Sequence, residues 1–172
     1  MTITESEQRA VGPKRWNVDR AESSVGFDVE TFWGLITVHG HFDSFDGRYE
    51  RSPEAEMIEL TVDAASLDTG NAKRDKHLRS DDFFSIEKHP QVRFISTRIH
   101  HVTDGILHVV GNLEAAGKVV TLEFAATMRP DGDALEIETT TTVDQGELGM
   151  SSGRLGMIRP PATLHVKARL SR

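Results

Sequence analysis

The 172-residue chain contains no cysteine. That removes disulfides, thiol nucleophiles and thiolate-ligated zinc from consideration. Long hydrophobic runs are missing too, and nothing approaches the roughly 18 consecutive apolar residues that a membrane-crossing helix requires. The opening MTITESEQRAVGPKR lacks the apolar core and small-residue cleavage pattern of a secretory leader, so the expected location is cytoplasmic, without stable membrane insertion. Aromatic residues make up only 6% of the chain, and positive charge is nowhere concentrated. With a formal charge of −7, the surface has the wrong sign for nucleic acid or an anionic bilayer, and neither is expected as a partner. No P-loop or Rossmann glycine pattern occurs, nor any internal repeat.

What the chain does contain is alternation. The length suits one domain burying about two-thirds of its unfolded surface. Residues 1–14 are polar, include Gly12-Pro13 and lack periodicity, so they are expected to form a flexible tail ahead of a domain spanning 15–172. Within the domain, Val25, Phe27 and Val29 alternate with polar residues, which is the pattern of a half-buried strand. The same period recurs through residues 35–42, at Ile58, Leu60 and Val62, at Val92 and Phe94, and at Val120, Leu122, Phe124, Ala126 and Met128. Threonines 139–142 favour a strand, and Leu164, Val166, Ala168 and Leu170 supply the last one. Asp46-Gly47, Ser52-Pro53, Asp104-Gly105, Gly117-Lys118 and Asp131-Gly132 read as turns between them.

The stretch LTVDAASLDTGNAKRDKHLRSDDFF, residues 60–84, departs from this rhythm. A strand runs into Asp68, Thr69 and Asn71, which supply acceptors for a helix start, and a helix is predicted over 72–80. Beyond Ala72 and Leu78 the helix has little apolar surface, so it is expected to lie across the end of another element. Asp75 and Arg79 stand four apart and are expected to pair, and Phe83-Phe84 is expected to return to the core.

The run DAASLDTGNAKRDKHLRSDDFF, followed by HPQVRFIST at 89–97, resembles the signature of the YceI-like family of bacterial barrels. The similarity extends from WNVDRAESSVGFDVE at Trp16 to the last strand. Together with the strand count it implies an all-β fold: an eight-stranded antiparallel up-and-down barrel, lipocalin-like, with a short helix between strands. Closure of such a sheet removes its edges and leaves an interior for side chains or one small ligand. The resemblance further implies non-catalytic binding, carriage or storage of a long-chain hydrophobic small molecule, such as a polyisoprenoid, an isoprenoid quinone or a fatty-acid derivative, with no other cofactor. The alternative is a filled barrel acting as a ligand-free interaction or stress-response module.

Inward positions expected to line the tunnel are Phe27, Val29, Val38, Phe42, Leu60, Phe83, Phe84, Phe94, Leu122, Phe124, Met150 and Met157. Flexible thioethers and loop-end aromatics such as Met150, Met157 and Phe84 suit an adaptable mouth. Many family members carry an arginine–histidine pair after the first barrel strand and a histidine–glycine element in a later hairpin. Here Glu30-Thr31 and Ala115-Ala116-Gly117 stand in those places, so no charged head-group site is carried over. The family also suggests a homodimer, with Trp33 and Tyr49 as exposed contact candidates.

Catalytic patterns are weak. Gly149-Met150-Ser151-Ser152-Gly153 matches G-x-S-x-G, but no helix is expected after it and no acid lies between the serine and His165. His39 and His41 share a strand face as a metal-ligand pair would, with His100, His101 or His108 as candidate third ligands. Solvent-facing strand histidines are the simpler reading.

Overall fold

The computed structural model describes residues 12–31, 36–150 and 161–172. Eleven strand segments, β1 (Lys14–Val18), β2 (Ser24–Thr31), β3 (Ile36–Phe42), β4 (Phe45–Arg51), β5 (Glu56–Asp63), β6 (Leu67–Asp68), β7 (Gln91–Thr103), β8 (Ile106–Ala115), β9 (Lys118–Asp131), β10 (Ala134–Val143) and β11 (Ala162–Ser171), form one antiparallel sheet. It closes on itself because β11 pairs with both β1 and β2. The segments reduce to eight rows. β1 and β2 form one row interrupted by a single 3-10 turn at Arg20–Glu22, whose start is capped by Asp19. β3 and β4 form a second row, bent at Asp43-Ser44, and β5 and β6 a third, broken by the turn Ala64–Ser66. Each row pairs with its sequence neighbours, so the barrel is the expected up-and-down meander.

The turns follow the sequence with one correction. Gly105, Gly117 and Gly132 all adopt positive φ at hairpins, as their positions predict. Asp46-Gly47 does not turn the chain. Both residues lie inside β4, paired with Thr61 and Leu60, and the hairpin forms at Ser52 to Ala55, where Ser52 N donates to Ala55 O at 2.8 Å. A Cβ on Gly47 would come within 2.8 Å of the Glu59 carbonyl, so this glycine marks close approach of two strands.

Two other strand glycines admit aromatic rings. A Cβ on Gly40 would lie 2.3 Å from Phe27 Cζ, and one on Gly111 would lie 2.4 Å from Phe94 Cζ and 2.5 Å from the Ile95 carbonyl oxygen. Each ring therefore lies over a bare backbone on the neighbouring strand.

The helix α1 (Ala72–Arg79) is capped by Asn71 and Ser80, in agreement with the sequence. Its expected ion pair does not form. Asp75 is buried and accepts from the Thr69 amide and hydroxyl, while Arg79 donates to the carbonyls of Ala65 and Leu67. Both side chains tie the helix to the β5–β6 corner instead of to each other. Phe83 is buried and Phe84 half-buried, so the pair returns to the interior as predicted.

One end of the barrel is solid. Trp16 and Tyr49 stack with ring centroids 5.4 Å apart, and around them pack Leu107, Val109 and Leu135. Tyr49, Leu107 and Val109 are at most 1% exposed. Burial pushes the Tyr49 hydroxyl up to about 12, helped by the nearby Glu56 carboxylate. Tyr49 is thus an interior residue, which removes it from the surface expected to pair two copies. Trp33 lies outside the described residues.

Candidate functional site

The helix-bearing half of the barrel is hollow. Strand alternation aims one residue in two inward, and in this half the inward residues do not meet across the axis. They enclose about 190 Å³ of space open to the centre of a water-sized atom. That is room for on the order of fifteen such groups. Ile137, Ala126, Ala168 and Leu170 form the floor, above the Trp16–Tyr49 plug. Phe27, Phe42, Leu60, Phe94, Leu122 and Phe124 form the walls. Leu78 of the helix, Phe83-Phe84 behind it, and Leu148 and Met150 after β10 close over the top.

Ten of the twelve predicted lining residues stand on this cavity: Phe27, Val29, Phe42, Leu60, Phe83, Phe84, Phe94, Leu122, Phe124 and Met150. Val38 is buried on β3 but is not part of the lining, and Met157 lies outside the described residues. Sequence reasoning missed Ile137, Thr139, Thr141, Gln145, Leu164 and Val166. Leu164 and Val166 share an alternating row and could have been assigned. Inward threonines could not, because in a strand threonine reads equally well as solvent-facing.

The cavity carries almost no net charge. Arg48 and Glu59 are the charged residues in its described lining, and they meet each other at 2.7 Å. Glu59 also takes an Arg93 guanidinium at 2.7 Å and Arg48 faces the Glu50 carboxylate at 3.3 Å, so each charge has an opposite charge beside it, although Arg48 Nε and Glu59 Oε2 form no well-directed hydrogen bond.

The histidines do not gather around a metal. His39 and His165 both bind the carboxylate of Asp28 on the barrel exterior, whereas His41 faces Asp43 at 3.1 Å. His101 pairs with Glu56 and His108 with Glu123, each at 2.8 Å and each elsewhere on the sheet. His41, Asp43 and Asp68 bring one donor atom apiece within 4.8 Å of one another at the surface. Ser151 and Gly153 of the G-x-S-x-G match lie outside the described residues.

The hydrogen bonds from His39 and then His165 hold the Asp28 carboxyl below the usual carboxylate range. A carboxyl with a depressed folded-state value contributes stability above its unfolded value of about 3.9, and that contribution is lost as pH falls through the lower folded value. Asp28→Asn should therefore flatten the acid limb of the stability profile below about pH 4. At neutral pH it should cost no more than about 1 kcal/mol, since the cluster is partly exposed. Urea melts of both proteins between pH 2 and 7 check this, and parallel acid limbs would contradict it.

Compared with known proteins, residues 16–170 match the YceI-like domain. The protein YceI of Salmonella arizonae is 40% identical over 114 residues, covering 63% of this chain and 58% of that one. A UPF0312 protein of Pseudomonas putida is 32% identical over 126 residues, 68% of this chain and 66% of its own length. The matched stretch spans about half to two-thirds of these relatives. Among solved structures, Burkholderia cenocepacia BcnA superimposes with a TM-score of 0.76 at 21% identity, over 89% of this chain and 98% of that one. A polyisoprenoid binding domain from Saccharophagus degradans, implicated in plant cell wall breakdown, gives a TM-score of 0.73 at 14% identity, over 91% and 97%. At those identities the structural likeness establishes the barrel architecture.

Proposed function

Because this chain belongs to the YceI-like family and its barrel holds a blind apolar cavity, we propose that it binds and carries a long apolar small molecule, without catalysing a reaction on it. The observation that carries the reading is the lining itself: aliphatic and aromatic side chains from β2, β3, β5 and β7 to β11, with the two charged residues paired to each other. An empty apolar cavity of this size forgoes the packing that stabilises a core, and a chain of hydrocarbon restores it. About fifteen methylene-like groups at about 0.8 kcal/mol each give on the order of 12 kcal/mol before association costs. That is enough for micromolar or tighter binding with no charged anchor. A polyisoprenoid, an isoprenoid quinone or a fatty-acid derivative each presents such a chain, and the polyisoprenoid binding domain with the same architecture lends weight to the first.

The test is native mass spectrometry of freshly purified protein followed by organic extraction. A stoichiometric isoprenoid, quinone or acyl species is the expected result. Protein that arrives empty and cannot be loaded with added polyprenyl compounds would overturn the reading and leave a barrel whose partner is another macromolecule.

A further inference from the structure

Between β9 and β10 the barrel wall parts. β9 and β10 pair from Asp131↔Ala134 to Thr127↔Glu138, and there the ladder stops, although both strands continue. β9 keeps β8 on its other edge to Lys118, and β10 keeps β11 to Val143. Only the facing edges separate. Beyond Glu138 the described link between them is a side-chain bond, the Thr139 hydroxyl donating to the Ala125 carbonyl at 2.7 Å.

The uncharged hydrogen-bonding side chains of the described cavity lining, Thr139, Thr141 and Gln145, all lie on β10 or just after it, beside this gap. Thr139 and Thr141 belong to the inward row of Ile137 and Val143, yet they are only half-buried where those two are buried. The uncharged polarity of the described lining is thus gathered beside the stretch where the β9–β10 ladder stops. Thr139 has spent its proton on Ala125 and can only accept; the Thr141 hydroxyl has no partner among the described residues and can do both. Parted strand edges add backbone N–H and C=O groups that no described strand satisfies.

We propose that the β9–β10 seam is the subsite for the polar end of the ligand, and that it selects an uncharged hydrogen-bonding head, an alcohol or a carbonyl, over a carboxylate or a phosphate. This rests on the carrier reading above and specifies the ligand class within it. An anionic head lodged beside Thr141 would leave water without a counter-charge in the described lining, since Arg48 and Glu59 are paired to each other and Lys118 stands at the far end of the seam. An alcohol loses far less and recovers it from Thr141. The hydrocarbon tail then runs from the seam along the inward row of β9, past Phe124 toward Ala126 at the floor.

Three probes with one tail decide the matter: a twenty-carbon isoprenoid alcohol, its diphosphate and the corresponding hydrocarbon, each titrated by displacement of an apolar fluorophore. The alcohol should bind about tenfold or more tightly than the diphosphate. Thr141→Val keeps the branched shape and removes only the hydroxyl, so it should weaken the alcohol roughly fivefold and leave the hydrocarbon unchanged. Thr142→Val, on the outward row of the same strand, should change neither and controls for strand packing. A diphosphate that binds as well as the alcohol overturns the subsite while the carrier reading stands. So does a Thr141→Val protein that loses alcohol and hydrocarbon equally, or loses neither. Failure of all three probes to bind overturns the carrier reading and this inference with it.

Discussion

Ala126→Phe is expected to empty the barrel while leaving it folded. Ala126 is buried on the floor of the cavity, inward on β9 and paired with Leu107 of the solid end. A phenyl group there has a void above it and occupies space for about six carbons of ligand. At about 0.8 kcal/mol per methylene, that forfeits on the order of 4 to 5 kcal/mol of binding, a thousandfold change in affinity. The fold should lose at most about 1 to 3 kcal/mol, the usual range for adding bulk to a packed interior, and less if the ring enters the void cleanly. Extraction of the variant should yield little or no bound small molecule, with the circular dichroism of the parent. A variant that still loads stoichiometrically would mean that cargo sits somewhere other than this cavity.

The second large effect concerns Gly111. Any side chain there meets the Phe94 ring and the Ile95 carbonyl oxygen, both under 3 Å from the new Cβ. The ring could rotate away, but the carbonyl belongs to the β7–β8 ladder and cannot. Gly111→Val should cost about 3 kcal/mol or more, lowering Tm by roughly 6 to 12 °C in a chain of this size. Gly40→Ala offers the instructive contrast. The three atoms nearest its Cβ would all belong to the Phe27 ring, which borders the cavity and has somewhere to go. That variant should be the milder of the two in a thermal melt, yet should impair loading, because the displaced ring takes ligand space. Equal melting losses for Gly40→Ala and Gly111→Ala would show that the two ring-over-glycine contacts are alike in rigidity.

Much of this architecture was legible in the sequence because strand alternation reports directly on which face is inward. Phe27-Val29, Leu60, and Leu122-Phe124 were assigned to the interior on period alone, and the structure places all of them on the cavity. Legibility failed where the period breaks. β7 runs on well past the alternation at Val92 and Phe94, because a bulge between Ser96 and Arg98 shifts the phase and Ile99, not Arg98 or His100, faces inward opposite Val109. Asp46-Gly47 has the composition of a hairpin, but composition does not distinguish a glycine that bends the chain from one that lets a neighbouring strand come close. The Asp75–Arg79 spacing suggested a local pair, and tertiary partners at Thr69, Ala65 and Leu67 outcompeted it. Three of the eight rows are broken by short turns, and none of the breaks carries a proline. The hollow itself was the least visible feature. Whether opposed side chains meet depends on how far apart their strands stand, and a one-dimensional pattern carries no information on that distance.

The division of the barrel into a filled end and an empty end separates two duties that most small domains must satisfy with the same residues. Tight packing around Trp16, Tyr49, Leu107 and Val109 anchors strands from both halves of the sequence, β1, β4 and β8 among them. Local opening in such a molecule is confined to the end with fewer apolar contacts. The walls around the cavity can open locally and tolerate substitution while the far end holds its own strands in register. For the carrier proposed above, delivery of a ligand would be an event within one half of the molecule, and a barrel that had given up its load would remain a folded barrel.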